Sequence, residues 1–498
     1  MSAFDLDAVW WVGHTLYGLG LLVSGLACVF LIAAIDDLVL DLTFWGHRLR
    51  RWWVGEPWLP HLDPQLLGAE PPKWIAVMVP AWDESAVLAP MLQRLLASAS
   101  YPRLRVFVGT YPNDPATRET LRHVLAVDPR VTEIVNDRDG PTCKADCLNA
   151  LWRGIAEDER KYGRYFEIIV MQDCEDLIHP LAWGLYNHRI PRYDMVQLPV
   201  LSLPRKWWQW TAAHYQDEFA QLHLKDLIAR GLFSGNVPAA GVGVGFNRTA
   251  LARIAALHDD RPFNTASLAE DYDIALQMRD LGFTQHFALC AAPAGEADDE
   301  HLFAPEAGGS RLISVREYFP DRLRAAVRQK SRWVIGIALQ AWQGRGWTGP
   351  WPMQLMLWRD RKVLLTHPAA ALGYLVATLI LAQWLWQVFD PTAPSFPPIV
   401  PADSITAGLL VINLILLALR MAQRALCVTR VYGPVEGLWS IPRSVWGSLI
   451  NAWATFRALR LWWRHRWTGQ PIGWDKTAHQ FPEGPVRSRP SPSLPVSA

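Results

Sequence analysis

Residues 10–35 are apolar for long enough to cross the roughly 30 Å hydrocarbon layer as a helix, which makes this a membrane-anchored chain before any other feature is weighed. A cleaved signal peptide would have a basic leader and a shorter apolar part, whereas Asp5 and Asp7 precede this stretch. Residues 367–389 and 405–428 predict two more spans, joined by a Pro-rich connector at 390–403 that reads as a short extracytoplasmic loop. Arg48, Arg50 and Arg51 follow the first span, Arg359, Arg361 and Lys362 precede the second, and Arg420, Arg424 and Arg430 close the third. By the positive-inside rule the N-terminus is outside and the large middle segment is cytoplasmic.

The 498 residues are 51% hydrophobic and 19% charged, so a soluble domain attached to membrane helices is expected. A formal net charge of +1 gives no basic field to recruit nucleic acid, which is excluded as a partner. Many of the 27 Trp sit beside Arg, as in Arg51-Trp52-Trp53, a pairing suited to lipid headgroups. The six cysteines are scattered without paired CxxC units, so reduced thiols are expected, with Cys143 and Cys147 structural.

The domain reading follows from these spans. Residues 1–60 hold the first helix and its juxtamembrane segment, 70–347 a cytoplasmic domain, and 348–430 two transmembrane helices. Residues 431–480 form an amphipathic segment and 481–498 a disordered tail rich in Pro, Ser and Arg. Within 438–466, Trp and Arg interleave without a continuous apolar run, which favours an interfacial helix over a fourth span. In the cytoplasmic domain, β-branched runs at 74–79, 105–108 and 167–171 alternate with helical segments such as 87–98 and 144–160. This predicts an α/β fold with a mostly parallel sheet, whose ligands bind beyond the carboxyl ends of the strands.

The third run ends in Gln172-Asp173-Cys174-Glu175-Asp176, where crowded carboxylates repel one another unless a cation neutralises them. Hard oxygen ligands without His suit Mg²⁺ or Mn²⁺ shared with substrate phosphates, although a solvated acidic turn is the other reading. Glu270 and Asp271 open a helix that stops near Gly282. They either complement its macrodipole or include a base that takes a proton from an attacking hydroxyl. Gln329, Arg332 and Trp333 share one helical face, offering a fork for phosphate and an indole for a sugar ring. A basic helix resting on the membrane is compatible with that use. Gly241, Gly243 and Gly245 lack the GxGxxG spacing and no strand-helix unit frames them, so a nicotinamide site is rejected.

In this order the motifs resemble the signature of the processive family 2 glycosyltransferases: D, DxD, (T/E)ED and QxxRW. Asp114 stands at the family's uracil-contacting aspartate, although its surroundings differ from the usual Asp-Asp-Gly-Ser. Asp173-Cys174-Glu175 matches DxD with Glu in the second place, Glu270-Asp271 matches the ED pair, and Gln329, Arg332 and Trp333 match QxxRW. Asp83 and Glu84 follow the first strand where the family has a donor-contacting acid, and Lys144 to Asn149, with Asp146 inside, is similar to its Lys-x-x-x-Leu-Asn element. Segments around Tyr111 to Thr117, Asp173 to Pro180 and Gly473 to His479 resemble the phage-adsorption, NfrB-type branch of that family.

The resemblance implies a GT-A fold and a multi-pass protein of the bacterial inner membrane. It also implies an inverting transfer from a UDP-sugar, such as a UDP-N-acetylhexosamine, to a growing glycan that becomes a secreted polysaccharide. Asp173 and Glu175 would hold Mg²⁺ or Mn²⁺, and Asp83, Glu84, Asp114, Lys144, Asp146 and Asp173 the donor. Asp271, with Glu270, would serve the acceptor hydroxyl, while Gln329, Arg332 and Trp333 would hold the acceptor or diphosphate. Three spans make a thin conduit, so an outer-membrane export partner or self-association is expected. Transfer of one sugar to a lipid carrier, and an inactive membrane scaffold of a secretion or phage-receptor complex, are the competing readings.

Overall fold

In the computed structural model, residues 3–60, 67, 70–292, 311–390, 392, 397–470, 472–473 and 480–482 are described. The segment 474–479 and the tail beyond 482, for which the sequence carried expectations, lie outside them. Among the described residues three helices are long and apolar enough to cross a membrane: Gly13–Trp53, Val363–Phe389 and Ile405–Tyr432. The first belongs to a continuous 51-residue helix, Ala3–Trp53, which runs on well past the apolar stretch. Asp36, Asp37 and Asp41 do not end it because cations from distant parts of the chain neutralise them. Arg359 reaches Asp36 at 2.9 Å, Lys362 reaches it at 2.7 Å, and Arg420 lies 3.0 Å from Asp37. The first and third membrane helices also touch through Asn413 Nδ2, which donates to the Ala27 carbonyl at 2.9 Å.

Among the described residues the α/β domain has ten strands: β1 Ile75–Pro80, β2 Leu104–Thr110, β3 Val131–Val135, β4 Ile168–Met171, β5 Leu177–Ile178, β6 Met195–Gln197, β7 Val200–Ser202, β8 Val244–Asn247, β9 Gln285–Phe287 and β10 Val315–Glu317. Seven form one sheet in the order β3-β2-β1-β4-β8-β6-β9, and β5-β10-β7 form a second. Strands β3, β2, β1 and β4 run parallel, while β8 is antiparallel to both β4 and β6. Successive side chains of β1 leave on opposite faces, so Ile75, Val77 and Val79 join one core and Ala76 and Met78 another. The Leu88–Ser98 helix covers the first face and the Lys144–Tyr162 helix the second. Burial on both faces explains why these strands read as unbroken apolar runs in the sequence.

The Pro434–Thr468 helix packs against the Trp210–Gln221 and Leu323–Trp333 helices and against both later membrane helices. Its inner face is small or polar, with Gly437, Ser440, Gly447, Ala454 and Thr455 buried. Arg443, 1% exposed, forks onto Asp217 at 2.9 and 2.7 Å. Its outer face is apolar and exposed along its length, through Leu438, Val445, Leu449, Trp453, Phe456 and Trp463.

Candidate active site

The site is assembled from loops at the carboxyl ends of β1, β2 and β4. After β1 the chain turns at Asp83, whose φ of 54° lies in the left-handed region. That turn is held by Asp114, whose Oδ2 accepts the Asp83 N–H at 2.6 Å. Asp114 Oδ1 accepts from the Thr117 N–H at 3.2 Å, so this carboxylate caps the Pro115–Leu125 helix as well. Glu84 is buried beside it, with its N–H donating to the Thr117 hydroxyl at 2.9 Å. Cys174 Sγ meets the Pro80 carbonyl at 3.2 Å, which draws the Asp173-Cys174-Glu175 turn against the end of β1.

Lys144, the first residue of its helix, lies at the centre of the acids. Its ammonium is 2.6 Å from Asp173 Oδ1 and donates to the Gly241 carbonyl at 3.2 Å. Gly241 has φ +78°, and a Cβ there would fall 2.9 Å from Asp271 Oδ2 and 3.4 Å from Lys144 Nζ. Asp173 and Asp271, almost a hundred residues apart in sequence, therefore share one lysine, with the bare backbone of Gly241 beside Asp271 and that lysine. Burial alone would lower the Lys144 ammonium, but Asp173, Glu270 and Asp271 hold it well above the usual lysine value. Burial, then the charge of Asp271, pushes the Glu270 carboxyl up to about 7, against the pull of Lys144. Asp271 is raised as well, chiefly by burial.

The first turn of the Glu270–Asp280 helix is fixed from several sides. Tyr272 N–H donates to Asp271 Oδ1 at 2.8 Å, and Arg345 reaches Asp273 at 3.0 Å. Gln340 Oε1 accepts the Leu268 N–H at 2.8 Å, and Gln340 Nε2 donates to the Ala266 carbonyl at 3.0 Å. Gln340 ends a π-helical stretch, Val334–Gln340, that follows directly on the Leu323–Trp333 helix. The helix bearing Gln329, Arg332 and Trp333 is thus clamped to the loop before Glu270. π-helical turns of this kind recur at functional sites.

Two of the expected site residues also have protein partners. Trp333 is half-buried, its ring edge-on to Tyr215 at 6.1 Å and close to Phe219, so part of its surface serves packing. Asp146 faces Arg138 at 2.5 Å, and no contact ties it to Lys144 or Asp173 among the described residues. Arg332 and Gln329 are half-buried on the same helix, and Gln329 Oε1 has no hydrogen-bond partner among the described residues. The sequence also passed over Gly241, which rejection of a nicotinamide loop had set aside. Its one signal was a glycine run immediately before a strand.

The model of glycosyltransferase like family 2 matches residues 71–336. The chain belongs to that family. Over 489 residues it is 37% identical to bacteriophage adsorption protein B of Escherichia coli (strain K12), and equally to bacteriophage N4 adsorption protein B of Escherichia coli O157:H7. The match covers 97% of this chain and 65% of each relative, so the chain spans just under two thirds of their length. Among solved structures, mannosyltransferase PcManGT from Pyrobaculum calidifontis, in complex with GDP-Man and Mn²⁺, aligns with a TM-score of 0.48 at 18% identity over 87% of this chain and 99% of that one.

For this family 2 glycosyltransferase the metal question turns on the donor set. No group of three or more His, Cys, Asp or Glu converges as a complete cage among the described residues. A hard divalent ion held by Asp173 and Glu175 and completed by diphosphate oxygens needs no cage. Gln172, immediately before Asp173, is buried, and its side-chain amide has no hydrogen-bond partner among the described residues. The residues present fit such an ion.

Proposed function

We propose that the chain is an inverting, metal-dependent glycosyltransferase that polymerises a sugar from a UDP-sugar on the cytoplasmic face of the bacterial inner membrane. The observation that carries this reading is the convergence of Asp173 and Asp271 on Lys144 and Gly241. Asp271 takes the proton of the acceptor hydroxyl as its oxygen bonds to the anomeric carbon. The bond from that carbon to the diphosphate breaks on the opposite side, its electrons leave with UDP, and one displacement inverts the centre. Lys144, kept charged by its acidic neighbours, is placed to meet the departing diphosphate. A divalent ion at Asp173 and Glu175, when bound, supplies neutralisation of the negative charge that develops on the leaving group.

Asp83, Glu84 and Asp114 line the nucleotide side beyond β1 and β2, with Asp146 at its margin, and Gln329, Arg332 and Trp333 take the acceptor or its diphosphate. The three apolar helices span the membrane, and the outward apolar face of Pro434–Thr468 rests in the interfacial layer. Supporting that placement, the helix turns small and polar residues inward and exposes its large apolar ones, the reverse of a helix bounded by water. The polysaccharide leaves through an export partner in the outer membrane or through self-association of this chain.

Incubation of the purified full chain with a UDP-N-acetylhexosamine and Mn²⁺, followed by sizing of the product, tests this reading. Long polymer supports it. A product one sugar longer than a lipid acceptor would replace polymerisation with single transfer, and absence of turnover with every UDP-sugar and added lipid would favour a scaffold.

A further inference from the structure

Outside the acids themselves, the strongest unassigned feature is a buried chain of polar contacts that leads from the catalytic helix to the membrane. The Tyr272 hydroxyl, on a side chain 4% exposed, donates to Asp360 Oδ2 at 2.6 Å. Arg230 forks onto both oxygens of Asp360 at 2.7 Å each, and its Nε and second amine also donate to Asn236 Oδ1 at 3.0 and 2.7 Å. Asp360 lies on the Trp351–Arg361 helix, directly before the Val363–Phe389 membrane helix. Its neighbour Arg359 is locked between Asp36, at 2.9 Å on the first membrane helix, and Asp226, at 3.0 Å in the cytoplasmic domain. Asp360 is therefore a fixed point, and Tyr272 is held to it at one end.

At its other end, Tyr272 presents its backbone N–H to Asp271 Oδ1 at 2.8 Å. We propose that Asp360 is a positioning residue for the transfer reaction, holding the Tyr272 ring so that the Tyr272 N–H fixes the orientation of the Asp271 carboxylate. This inference rests on the reading of Asp271 as the group that takes the acceptor proton. A carboxylate that must meet a hydroxyl in line with a leaving group gains from a defined rotamer, because small misplacements of a reacting group cost much of the rate. A partner for Asp360 is already present in Arg230, so ion pairing alone leaves the Tyr272 hydroxyl unexplained.

The test uses the full chain in detergent or nanodiscs with a UDP-sugar that turns over, each rate normalised to sites that bind donor. Tyr272→Phe leaves the Arg230–Asp360 pair intact and is the variant expected to fold without difficulty; Asp360→Asn is the second. Each is expected to lower kcat roughly tenfold with donor KM within about twofold, since orientation and not donor binding is lost. The double variant is expected to be no slower than the slower single one, because both remove one contact. A merely structural role would reduce the number of donor-binding sites and leave turnover per site unchanged. Wild-type kcat per site in Tyr272→Phe, or single effects that multiply in the double variant, would overturn the proposal. Asp271→Asn, run alongside, separates the two levels: its full activity would sink the assignment of Asp271 itself, whereas its inactivity beside an unaffected Tyr272→Phe sinks the positioning role alone.

Discussion

Gly336 lies against Ala269 so closely that a Cβ on Gly336 would fall 2.5 Å from the Ala269 Cβ and 2.8 Å from its backbone nitrogen. The residue before the acidic pair and the π-helical turn after Trp333 are thus in direct backbone contact, which unites two motifs that sequence separates by nearly sixty positions.

Gly336→Ala should accordingly force the two backbones apart. Overpacking of this kind costs about 1–3 kcal/mol. We expect a lower midpoint of thermal unfolding and a kcat deficit, because the shift is delivered straight to Glu270. A melting curve and rate equal to wild type would show that the contact is slack.

Gly241→Ala tests the floor of the site. At φ +78° a side chain is strained whatever the space, and its Cβ would crowd Asp271 Oδ2 at 2.9 Å. Folding should survive, at a cost of about 1–2 kcal/mol, while turnover falls at least roughly tenfold through displacement of Asp271. Unchanged kcat would mean that Asp271 works in a different position.

Glu270 gives a stability signature with a definite sign. Its carboxyl is raised from 4.5 to about 7, so between those values the native chain holds a proton that the unfolded chain has lost. Stability from this group is therefore present below that window and is lost as pH rises through it. Donor-free and metal-free wild type should lose unfolding temperature, relative to Glu270→Gln, on going from a pH of about 5 to about 8. Parallel pH dependences for the two proteins would contradict a raised Glu270.

Arg443 and Asp217 form the buried pair that joins Pro434–Thr468 to the α/β domain. Burial pushes Asp217 up to about 6 even with the guanidinium beside it. Arg443→Met leaves that carboxylate stranded and should cost about 3–5 kcal/mol, whereas Arg443→Met with Asp217→Leu should recover most of the loss. Equal unfolding temperatures for the single and double variants would show that the charge pair is not what holds the helix.

Much of this was legible in the sequence, because the informative patterns are local. Strands β1, β2 and β4 were readable as apolar runs, and their ends agree with 74–79, 105–108 and 167–171 to within two residues. The three apolar helices were equally plain, since length and hydropathy decide them. What sequence could not supply were partnerships across long separations. Arg359 and Lys362 read as membrane-flanking charges, yet they are half-buried against Asp36, and their presence lets the first helix continue to Trp53. Neither Asp360 nor Tyr272, which lies between Asp271 and Asp273, has a motif to mark it. The amphipathic pattern of 438–466 was visible, but the inward turn of Arg443 toward Asp217 was not, since a lone arginine among tryptophans reads as a headgroup contact.

Nucleotide release from the purified chain tests most directly whether Asp271 takes the acceptor proton in a metal-supported transfer. With a panel of UDP-sugars and Mg²⁺ or Mn²⁺, we expect one donor to give metal-dependent turnover that falls at least about a hundredfold in Asp271→Asn. Turnover by Asp271→Asn at the wild-type rate would contradict the account.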